Sequence, residues 1–497
     1  MPRLISICLL LFLWFPICLD ASVSDSTATT TRDSIYHYDI ELNGAFARGA
    51  HTPFWLVNNR FGLSSIKKVN GHMRAGFFRE DNHSKPFGYS FGADLAVAGG
   101  YTSTFIIQQL YGGIRYKCLD LTVGSRETRS QMVNPELSSG DLLFSDNARP
   151  IPQARLAIEQ YTIVPWTRRW LAVRGYISMG AFTDERFQKS FTQGLHKYTR
   201  HVLFHSKGGF LRIGNRDRFP LVVEGGLEMA AQWGGTIIYP DGHTLKMPHS
   251  FKDALKIIFP TGSDSSNPEL AGEVSNVLGN HTGQWCAALD WHDKAQTWGA
   301  RAYFEHYFED HSMMFFDFKW RDMLLGFEID LPANPIGSIV YEYLYTKDQA
   351  GAVYWDHTPD IPEQVSGRDD YYNHYLYTGW EHWGMGIGNP LVISPIYNTD
   401  NTLSFKDNRI MAHHIGWKGS PLPGIDYRVL ISYSRSWGTY DQPNSYVKRN
   451  LNGLLEVTWH PRRLSGWAGC IGIGADGGSL LGKSAGVMLT ISKSGWL

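Results

Sequence analysis

The chain has 497 residues, enough for two or three ordinary domains or for one large barrel, so length alone does not choose between them. Aromatic residues make up 14% of the chain and charged residues only 19%, below the ~25% usual in soluble domains. The 46 basic residues nearly cancel the 47 acidic residues, so no basic excess is available to neutralise nucleic-acid phosphates. Nucleic-acid binding is therefore not expected.

The first residues have the layout of a secretory signal. Arg3 precedes an apolar run from Leu4 to Leu19, which Pro16 interrupts. The run is too short and too broken for a good spanning helix, so we predict a signal peptide over residues 1–21. The Ser/Thr-rich segment that follows predicts a flexible polar leader over residues 22–35.

Cysteine spacing excludes two ways of stabilising the fold. Beyond the signal peptide, Cys118, Cys286 and Cys470 are widely separated and form neither a disulfide framework nor a metal-ligand motif. No other stretch approaches ~20 consecutive apolar residues. An exported chain of this kind is secreted, periplasmic or a transmembrane β-barrel.

From residue 36 onward the dominant pattern is alternation of apolar and polar side chains. In "DYRVLISYSRSWG", Tyr427, Val429 and Ile431 alternate with Arg428 and Ser432. Successive side chains of a strand face opposite sides of a sheet, so such a segment has one apolar face and one mixed face. These segments run ~9 to 12 residues, which is long for a globular sheet and suits a tilted strand that crosses a bilayer.

Strand length and aromatic placement favour a transmembrane barrel. Trp170, Trp459 and Trp496 stand near segment ends, as in the aromatic girdles of outer-membrane barrels. At roughly 26 residues per strand and connection, residues 36–497 predict one antiparallel β-barrel domain of about 18 strands. A secreted sandwich, β-helix or propeller remains the alternative, although no fixed repeat of ~20 to 50 residues supports a propeller or solenoid.

Three short motifs match catalytic or metal patterns in contexts that argue against them. "GYSFG" (Gly88–Gly92) matches the nucleophile elbow, but the residues after it alternate like a strand. "HYFEDH", with His306, Glu309 and His311, misses the HExxH spacing, and the pair His413–His414 would point to opposite faces of a strand. No metal site and no cofactor is predicted.

The stretch "GRDDYYNHYLYTGWEHW" (Gly367–Trp383) concentrates rings and charges. Pyranose rings present apolar C–H faces that pack on Tyr and Trp, and their hydroxyls bond to charged groups. We therefore predict a polysaccharide-binding segment. Its candidate residues are Arg368, Asp369, Asp370, Tyr371, Tyr372, Tyr375, Trp380, Glu381 and Trp383.

Two other readings of this segment stay open. The rings and charges could form an aromatic girdle and a lumen salt-bridge network with a purely structural role. Asp370 with Glu381 could also be a glycosidase pair, because two carboxylates flank the scissile bond in those enzymes.

Four stretches together resemble the capsule-assembly Wzi family of outer-membrane proteins, in its Bacteroidetes-like form. They are "GAHTPFWLVNNRFG" (49–62), "LLFSDNARPIPQARLAI" (142–158), "SGRDDYYNHYLYTGWEHWGMGIGNPL" (366–391) and the following "SPIYN". The resemblance implies an 18-stranded outer-membrane barrel with short helical elements at the periplasmic end. It also implies a non-catalytic lectin that helps to attach or assemble exported polysaccharide at the cell surface.

The resemblance sets the expected location and partners. We expect the outer membrane of a Gram-negative bacterium, with capsular or exopolysaccharide as ligand. Outer-membrane lipid and, during biogenesis, the barrel-assembly machinery are further expected partners. A sugar-selective or passive porin is the main alternative function, and a surface glycosidase is less favoured.

Overall fold

The structure is a computed structural model that describes residues 35–81, 85–275, 277–295, 297–309, 314, 321–332, 335–352 and 367–497. The predicted signal peptide and residues 22–34 of the predicted leader lie outside the described residues.

An 18-stranded antiparallel sheet forms a closed barrel. It closes where the first strand pairs with the last, with His37 opposite Trp496 and Gly49 opposite Ser484. The predicted fold class and strand number are confirmed. In chain order the barrel strands are β1 Tyr36–Gly49, β2 Val69–Arg79, β3 Phe87–Gly99, β4 Phe105–Tyr116, β5 Leu119–Ser125, β6 Gln153–Ile163, β7 Leu171–Ala181, β8 Leu203–Ile213, β9 Leu221–Trp233, β10 Asn280–His292, β11 Gly299–Glu309, β12 Met323–Asp330, β13 Ser338–Tyr345, β14 Ile410–Leu422, β15 Ile425–Gly438, β16 Pro443–Trp459, β17 Trp467–Gly478 and β18 Ser484–Trp496.

Alternation along each strand decides which side chains face outward. On β15, Ile431 and Tyr433 are each 38% exposed, whereas Ser432 and Ser434 face the interior and are buried. The outward side chains of the other strands are also Val, Ile, Leu and Phe in large part. Such a surface is costly in water and favourable against acyl chains. It forms the apolar belt of an outer-membrane barrel.

The two ends of the barrel differ in the length of their connections. The short-turn end carries the start of β1, the end of β18 and tight connections such as 117–118 and 423–424. Exposed Trp170, Trp459 and Trp496 lie at this end, at the predicted girdle. In outer-membrane barrels short turns face the periplasm and long loops face outward. The long-loop end carries the connections 50–68, 126–152, 182–202, 234–279 and 346–409.

Helices and small strands belong to the long connections. The helices are α1 Phe54–Val57, α2 Glu185–Thr192, α3 Phe251–Ile258 and α4 Ala271–Ser275. Short strands at Tyr198–Arg200, Thr236–Ile238 and Thr244–Lys246 form a small sheet, and Glu381–His382 pairs with Met385–Gly386. Among the described residues no helix is long and apolar enough to cross a membrane.

The position of the helices differs from the prediction. They were expected at the periplasmic end, but every helix in the described part of the chain lies in a connection at the long-loop end. The physical reason is space, because connections of a few residues cannot form a helical turn and still reverse the chain.

Three connections fold back into the barrel and form what we call the lumen plug: residues 50–68, 126–152 and 367–409. Trp55, Leu143 and Trp380 of the plug share one buried core with inward-facing Tyr303 and Leu324 of the wall. The plug also reaches toward the short-turn end. There Arg301, near the start of β11, donates a hydrogen bond to the backbone oxygen of Met132 at 3.2 Å.

Candidate functional site

The stretches that carry the family resemblance pack against one another in the lumen plug. Asn147 accepts a hydrogen bond from the backbone N–H of Asn59 at 3.2 Å and donates one to the Gly386 oxygen at 3.0 Å. The indole Nε1 of Trp380 donates to the Leu143 oxygen at 3.0 Å. Segments that are far apart in sequence therefore form one hydrogen-bonded unit.

Part of the predicted polysaccharide-binding segment is buried in this unit. The side chains with almost no exposure are Tyr371 (1%), Tyr372 (2%), Trp380 (0%) and Glu381 (0%). Tyr371 Oη donates to Asp322 Oδ2 at 3.0 Å, and Tyr372 Oη donates to the Leu142 oxygen. These side chains hold the segment in place and do not reach a ligand in this conformation.

Glu381 is satisfied by the protein itself. Its Oε1 accepts hydrogen bonds from Thr378 Oγ1 at 3.1 Å and Gln188 Nε2 at 3.3 Å, and its Oε2 accepts one from the Gly384 amide at 2.7 Å. Burial, assisted by the nearby charge of Asp184, raises the pKa of Glu381 well above its usual range. This carboxyl group lacks the solvent access that a hydrolytic water requires.

Asp370, the other carboxyl of the glycosidase hypothesis, also has a structural partner. Asn408 Nδ2 donates to Asp370 Oδ1 at 2.6 Å and to the backbone oxygen of Tyr371 at 2.9 Å. Burial raises the pKa of Asp370. The bond fixes the turn at the start of the segment.

Five candidate residues remain partly or well exposed: Arg368, Asp369, Asp370, Tyr375 and Trp383. Tyr375 is 56% exposed, and its Oη donates to Glu273 Oε1 at 2.9 Å. Lys197 Nζ donates to the backbone oxygens of Tyr375 at 2.6 Å and His374 at 3.1 Å. We call Lys197, Glu273, His374 and Tyr375 the Tyr375 surface. It presents an exposed ring beside an ammonium group at the long-loop end, and the ring hydroxyl is bonded to the buried carboxyl group of Glu273.

His374 orients this surface as a neutral imidazole. Its Nδ1 accepts hydrogen bonds from the backbone N–H groups of Leu376 at 3.1 Å and Tyr377 at 3.4 Å. Its ring lies 4.7 Å from the Tyr375 ring, centroid to centroid. Burial, with a contribution from the charge of Lys197, lowers the pKa of His374 to about 3.

Trp383 occupies an unusual backbone position. The short strands Glu381–His382 and Met385–Gly386 are joined by two residues with positive φ, Trp383 at 58° and Gly384 at 79°. This is the pattern of a type I′ turn, which favours Asn-Gly or Gly-Gly. A bulky residue in the left-handed region costs about 1–2 kcal/mol. An outlier of this kind supports a hypothesis of function.

The Trp383 ring is half-buried and held by its neighbours. The Arg149 guanidinium lies 4.4 Å from the ring centroid, and the Phe187 ring lies 5.9 Å away. The backbone N–H of Trp383 donates to Asp184 Oδ2 at 3.0 Å. Burial lowers the pKa of Arg149 to about 10, which leaves it cationic at neutral pH. The result is a fixed indole with a cation against it.

Arg149 also lines a cavity between the plug and strands β6 to β9, with a volume of about 130 Å³. Its charged lining residues are Arg126, Arg129, Arg149, Arg155, Arg174, Asp141, Glu159 and Glu228. Arg155 stacks on Tyr176 at 3.6 Å and Arg174 on Phe210 at 3.7 Å, guanidinium carbon to ring centroid. Drug-sized ligands use pockets of roughly 300–1,000 Å³. The cavity therefore suits one small substituent and not a polymer segment.

The arginines of this cavity were not predicted from the sequence. The alternation along each strand could have shown that they face the interior. Arg155 in "QARLAI" and Arg174 in "LAVRGY" alternate with outward-facing apolar residues. Their grouping depends on which strands are neighbours around the barrel, and that information is not local in sequence.

Two of the three short motifs lie within strands of the barrel wall. Ser90 lies inside strand β3, so "GYSFG" is not a nucleophile elbow. His413 Nδ1 shares a hydrogen bond with Tyr341 Oη on the outer face, whereas His414 Nε2 shares one with the Leu137 oxygen in the plug. His311 lies outside the described residues. Within the described residues no group of His, Cys, Asp or Glu side chains is arranged to hold a metal ion.

Comparisons with protein-family models and with curated protein sequences found no match. Among solved structures, the chain is similar to Wzi of Escherichia coli, described as an outer-membrane protein involved in group 1 capsule assembly and as a carbohydrate-binding β-barrel. The TM-score is 0.55 at 11% identity, over 92% of this chain and 85% of that chain. At this identity the likeness shows the fold, which is that of an outer-membrane barrel.

Two further solved barrels align over similar lengths with lower scores. Acinetobacter baumannii OccAB2 has a TM-score of 0.47 at 6% identity, over 93% of this chain and 99% of that chain. Pseudomonas aeruginosa OccK3 (OpdO) has a TM-score of 0.44 at 10% identity, over 93% of this chain and 96% of that chain.

Proposed function

We propose that this chain is a Wzi-family barrel of the Gram-negative outer membrane that binds capsular or exopolysaccharide at its long-loop end without catalysing a reaction. Binding there helps to attach or assemble the polymer at the cell surface. The observation that carries the proposal is Trp383, an indole held in a left-handed turn position and stacked against the guanidinium of Arg149.

The backbone conformation of this turn favours a residue other than Trp at position 383. Asn-Gly at positions 383 and 384 would satisfy the same positive φ angles without the steric cost. The chain instead keeps a ring at Trp383 and a second, well exposed ring at Tyr375. Flat rings beside charged groups suit sugars, because the apolar ring faces of a pyranose stack while its hydroxyls form hydrogen bonds.

The lumen plug supports binding in preference to conduction. A porin needs a continuous water-filled channel, whereas here three connections place buried side chains such as Trp55 and Trp380 inside the barrel. The porin alternative requires a channel past these residues. The carbohydrate binding described for the Escherichia coli Wzi barrel agrees with the proposal, although shared fold alone does not transfer a ligand.

Deletion of the gene in the producing strain tests the cellular role. The proposal predicts that polymer synthesis continues at its usual level while polymer is lost from the cell surface into the medium. Re-expression of the wild-type gene should restore retention. Abolished synthesis, with no polymer in the cell or in the medium, would contradict a role in attachment.

A further inference from the structure

Helix α3 lies on the outside of the barrel wall. On strand β9, Val223 and Trp233 both occupy outward positions, but Val223 is 46% exposed and Trp233 only 5%. The difference arises because Ala254 and Ile257 of α3 pack in one cluster with Ala231 and Trp233. The helix therefore covers the wall near the long-loop end.

The covered part of the wall carries two basic side chains, His205 and Lys207, beside its apolar ones. On β8, the alternation of side chains places His205, Lys207 and Leu211 on the outward face. Leu211 is 48% exposed, whereas His205 is buried. Lys207 Nζ donates a hydrogen bond to the backbone oxygen of Ile258, at the end of α3. A lysine on the lipid face of a barrel costs about 2–4 kcal/mol near the bilayer midplane. Helix α3 thus shields groups that acyl chains do not solvate.

The helix itself has two stripes on its exposed side. Its exposed apolar side chains, with that of the next residue, are Phe251 (81%), Leu255 (42%) and Phe259 (43%). Lys252 and Lys256 form a charged stripe beside them, in which Lys252 is exposed and Lys256 is largely buried, and both pair with Asp264 at 2.7 Å. An apolar stripe next to a charged stripe is the pattern of a helix at a membrane interface.

A groove runs between the apolar stripe and the wall. Its lining includes Met179, Leu203, Trp233, Phe251, Leu255 and Ile258. From Met179 toward the short-turn end, the outward residues of β7 include Ile177 and Val173, so the groove is continuous with the apolar belt. The indole N–H of Trp233 is itself buried, without a hydrogen-bond partner among the described residues.

We propose that this groove binds an acyl chain of an outer-leaflet lipid, with the apolar stripe of α3 lying among the neighbouring chains. The occupant follows from the position of the groove, because it is continuous with the surface that a barrel presents to lipid and it lies at the long-loop end. The inference rests on the proposed outer-membrane location and is independent of saccharide binding.

Photo-crosslinking of the wild-type protein tests it. The barrel is reconstituted in palmitoyl-oleoyl-phosphatidylcholine vesicles doped with phosphatidylcholine that carries a diazirine on one acyl chain. After irradiation, mass spectrometry maps the labelled residues. We expect label on Phe251 and Leu255, on the groove floor at Leu203 or Trp233, and on Ile473 of the open belt, which is 51% exposed.

The outcomes separate the inference from its premise. Label on Ile473 without label on α3 or the floor would overturn the inference and leave the membrane location intact. Label on α3 without the floor would show lipid contact without a bound chain and would also overturn it. An unlabelled belt would reject the membrane location and the inference together.

A variant pair sharpens the test. Leu255→Gln should reduce labelling of Leu203 and Trp233 several-fold, because it places an amide at the groove mouth. Lys252→Gln, on the charged stripe of the same helix, should leave floor labelling unchanged. Equal floor labelling in both variants would contradict a groove site. Labelling of Ile473 in each variant confirms that the barrel has inserted.

Discussion

The indole Nε1 of Trp380 donates a hydrogen bond to the backbone oxygen of Leu143, 3.0 Å away and 237 residues earlier in the chain. Both residues are fully buried inside the barrel. The bond joins the ring-rich segment to the 126–152 connection, so part of what resembles a ligand surface in sequence is the core of the plug. The rings of this segment therefore form two groups: buried rings that stabilise the plug and exposed rings that can contact a ligand.

Removal of a buried ring should cost stability. Trp380→Ala leaves a cavity and an unsatisfied Leu143 oxygen, and we expect a loss of about 3–5 kcal/mol. Tyr375→Ala removes a 56% exposed ring and one hydrogen bond to buried Glu273, so we expect a smaller loss of about 1–3 kcal/mol. Thermal unfolding in detergent measures both. An unchanged midpoint for Trp380→Ala would show that the plug does not contribute to stability.

The plug should keep the barrel closed to ions. Glu342 of strand β13 is buried, and its Oε2 accepts a hydrogen bond from the Ser139 amide at 2.7 Å. We expect little current from wild-type protein in planar bilayers and larger, fluctuating currents from Glu342→Ala, which removes this anchor. Glu342→Gln keeps an acceptor and should stay closed. Steady large currents from the wild type would favour the porin.

Acid should weaken the Tyr375 surface. His374 has a pKa of about 3 in the folded chain because burial disfavours its charge, against about 6.5 when unfolded. The unfolded state therefore binds the extra proton, and stability present above pH ~6.5 falls as the pH drops toward 3, by up to about 1.4 kcal/mol per unit. The His374→Gln variant has no imidazole at this position and should therefore lack this contribution to the pH dependence.

The check is the difference in unfolding free energy between wild type and His374→Gln at several pH values. The advantage of the wild type should shrink steadily between pH 6.5 and 3. A difference that stays constant over this range would contradict the role assigned to the neutral imidazole.

The polymer should survive incubation with the protein. Glu381 is buried and hydrogen-bonded on both oxygens, so no water is positioned against it for hydrolysis. Size-exclusion chromatography of the producing strain's polysaccharide should show an unchanged profile. Shortening by the wild type that disappears in an Asp370→Asn, Glu381→Gln double variant would contradict this and restore the glycosidase.

The barrel could be predicted because its signals are local. Alternation assigns Ile431 and Tyr433 to one face and Ser432 and Ser434 to the other, and neighbouring residues alone fix that choice. Segment length and overall length then give the strand number. The first strand pairs with the last, with His37 opposite Trp496, and this pairing closes the sheet into a barrel.

The plug could not be predicted because its contacts are distant in sequence. Tyr371 and Trp380 have the residue types of a sugar surface, and only their partners Asp322 and Leu143 make them core. The helices were expected at the wrong end because the ends are distinguished by connection lengths around the whole barrel. Whether the exposed part of the segment binds sugar stays a prediction.

The most direct test of the account is binding of the purified, detergent-folded protein to the capsular polysaccharide of its own strain, measured for wild type, Trp383→Asn and Tyr375→Ala. Tyr446→Ala serves as the matched control, because it removes a 61% exposed ring at the same end of the barrel.

We predict saturable wild-type binding that weakens at least tenfold, about 1.4 kcal/mol, in Trp383→Asn and Tyr375→Ala and stays unchanged in Tyr446→Ala. Trp383→Asn relieves the steric cost of the turn but removes the contacts of the indole with Arg149 and Phe187, so thermal unfolding of this variant checks that it is folded. Equal binding by wild type, Trp383→Asn and Tyr375→Ala would contradict the assignment of these rings as the saccharide site. Absence of binding by the wild type would contradict the proposed function itself.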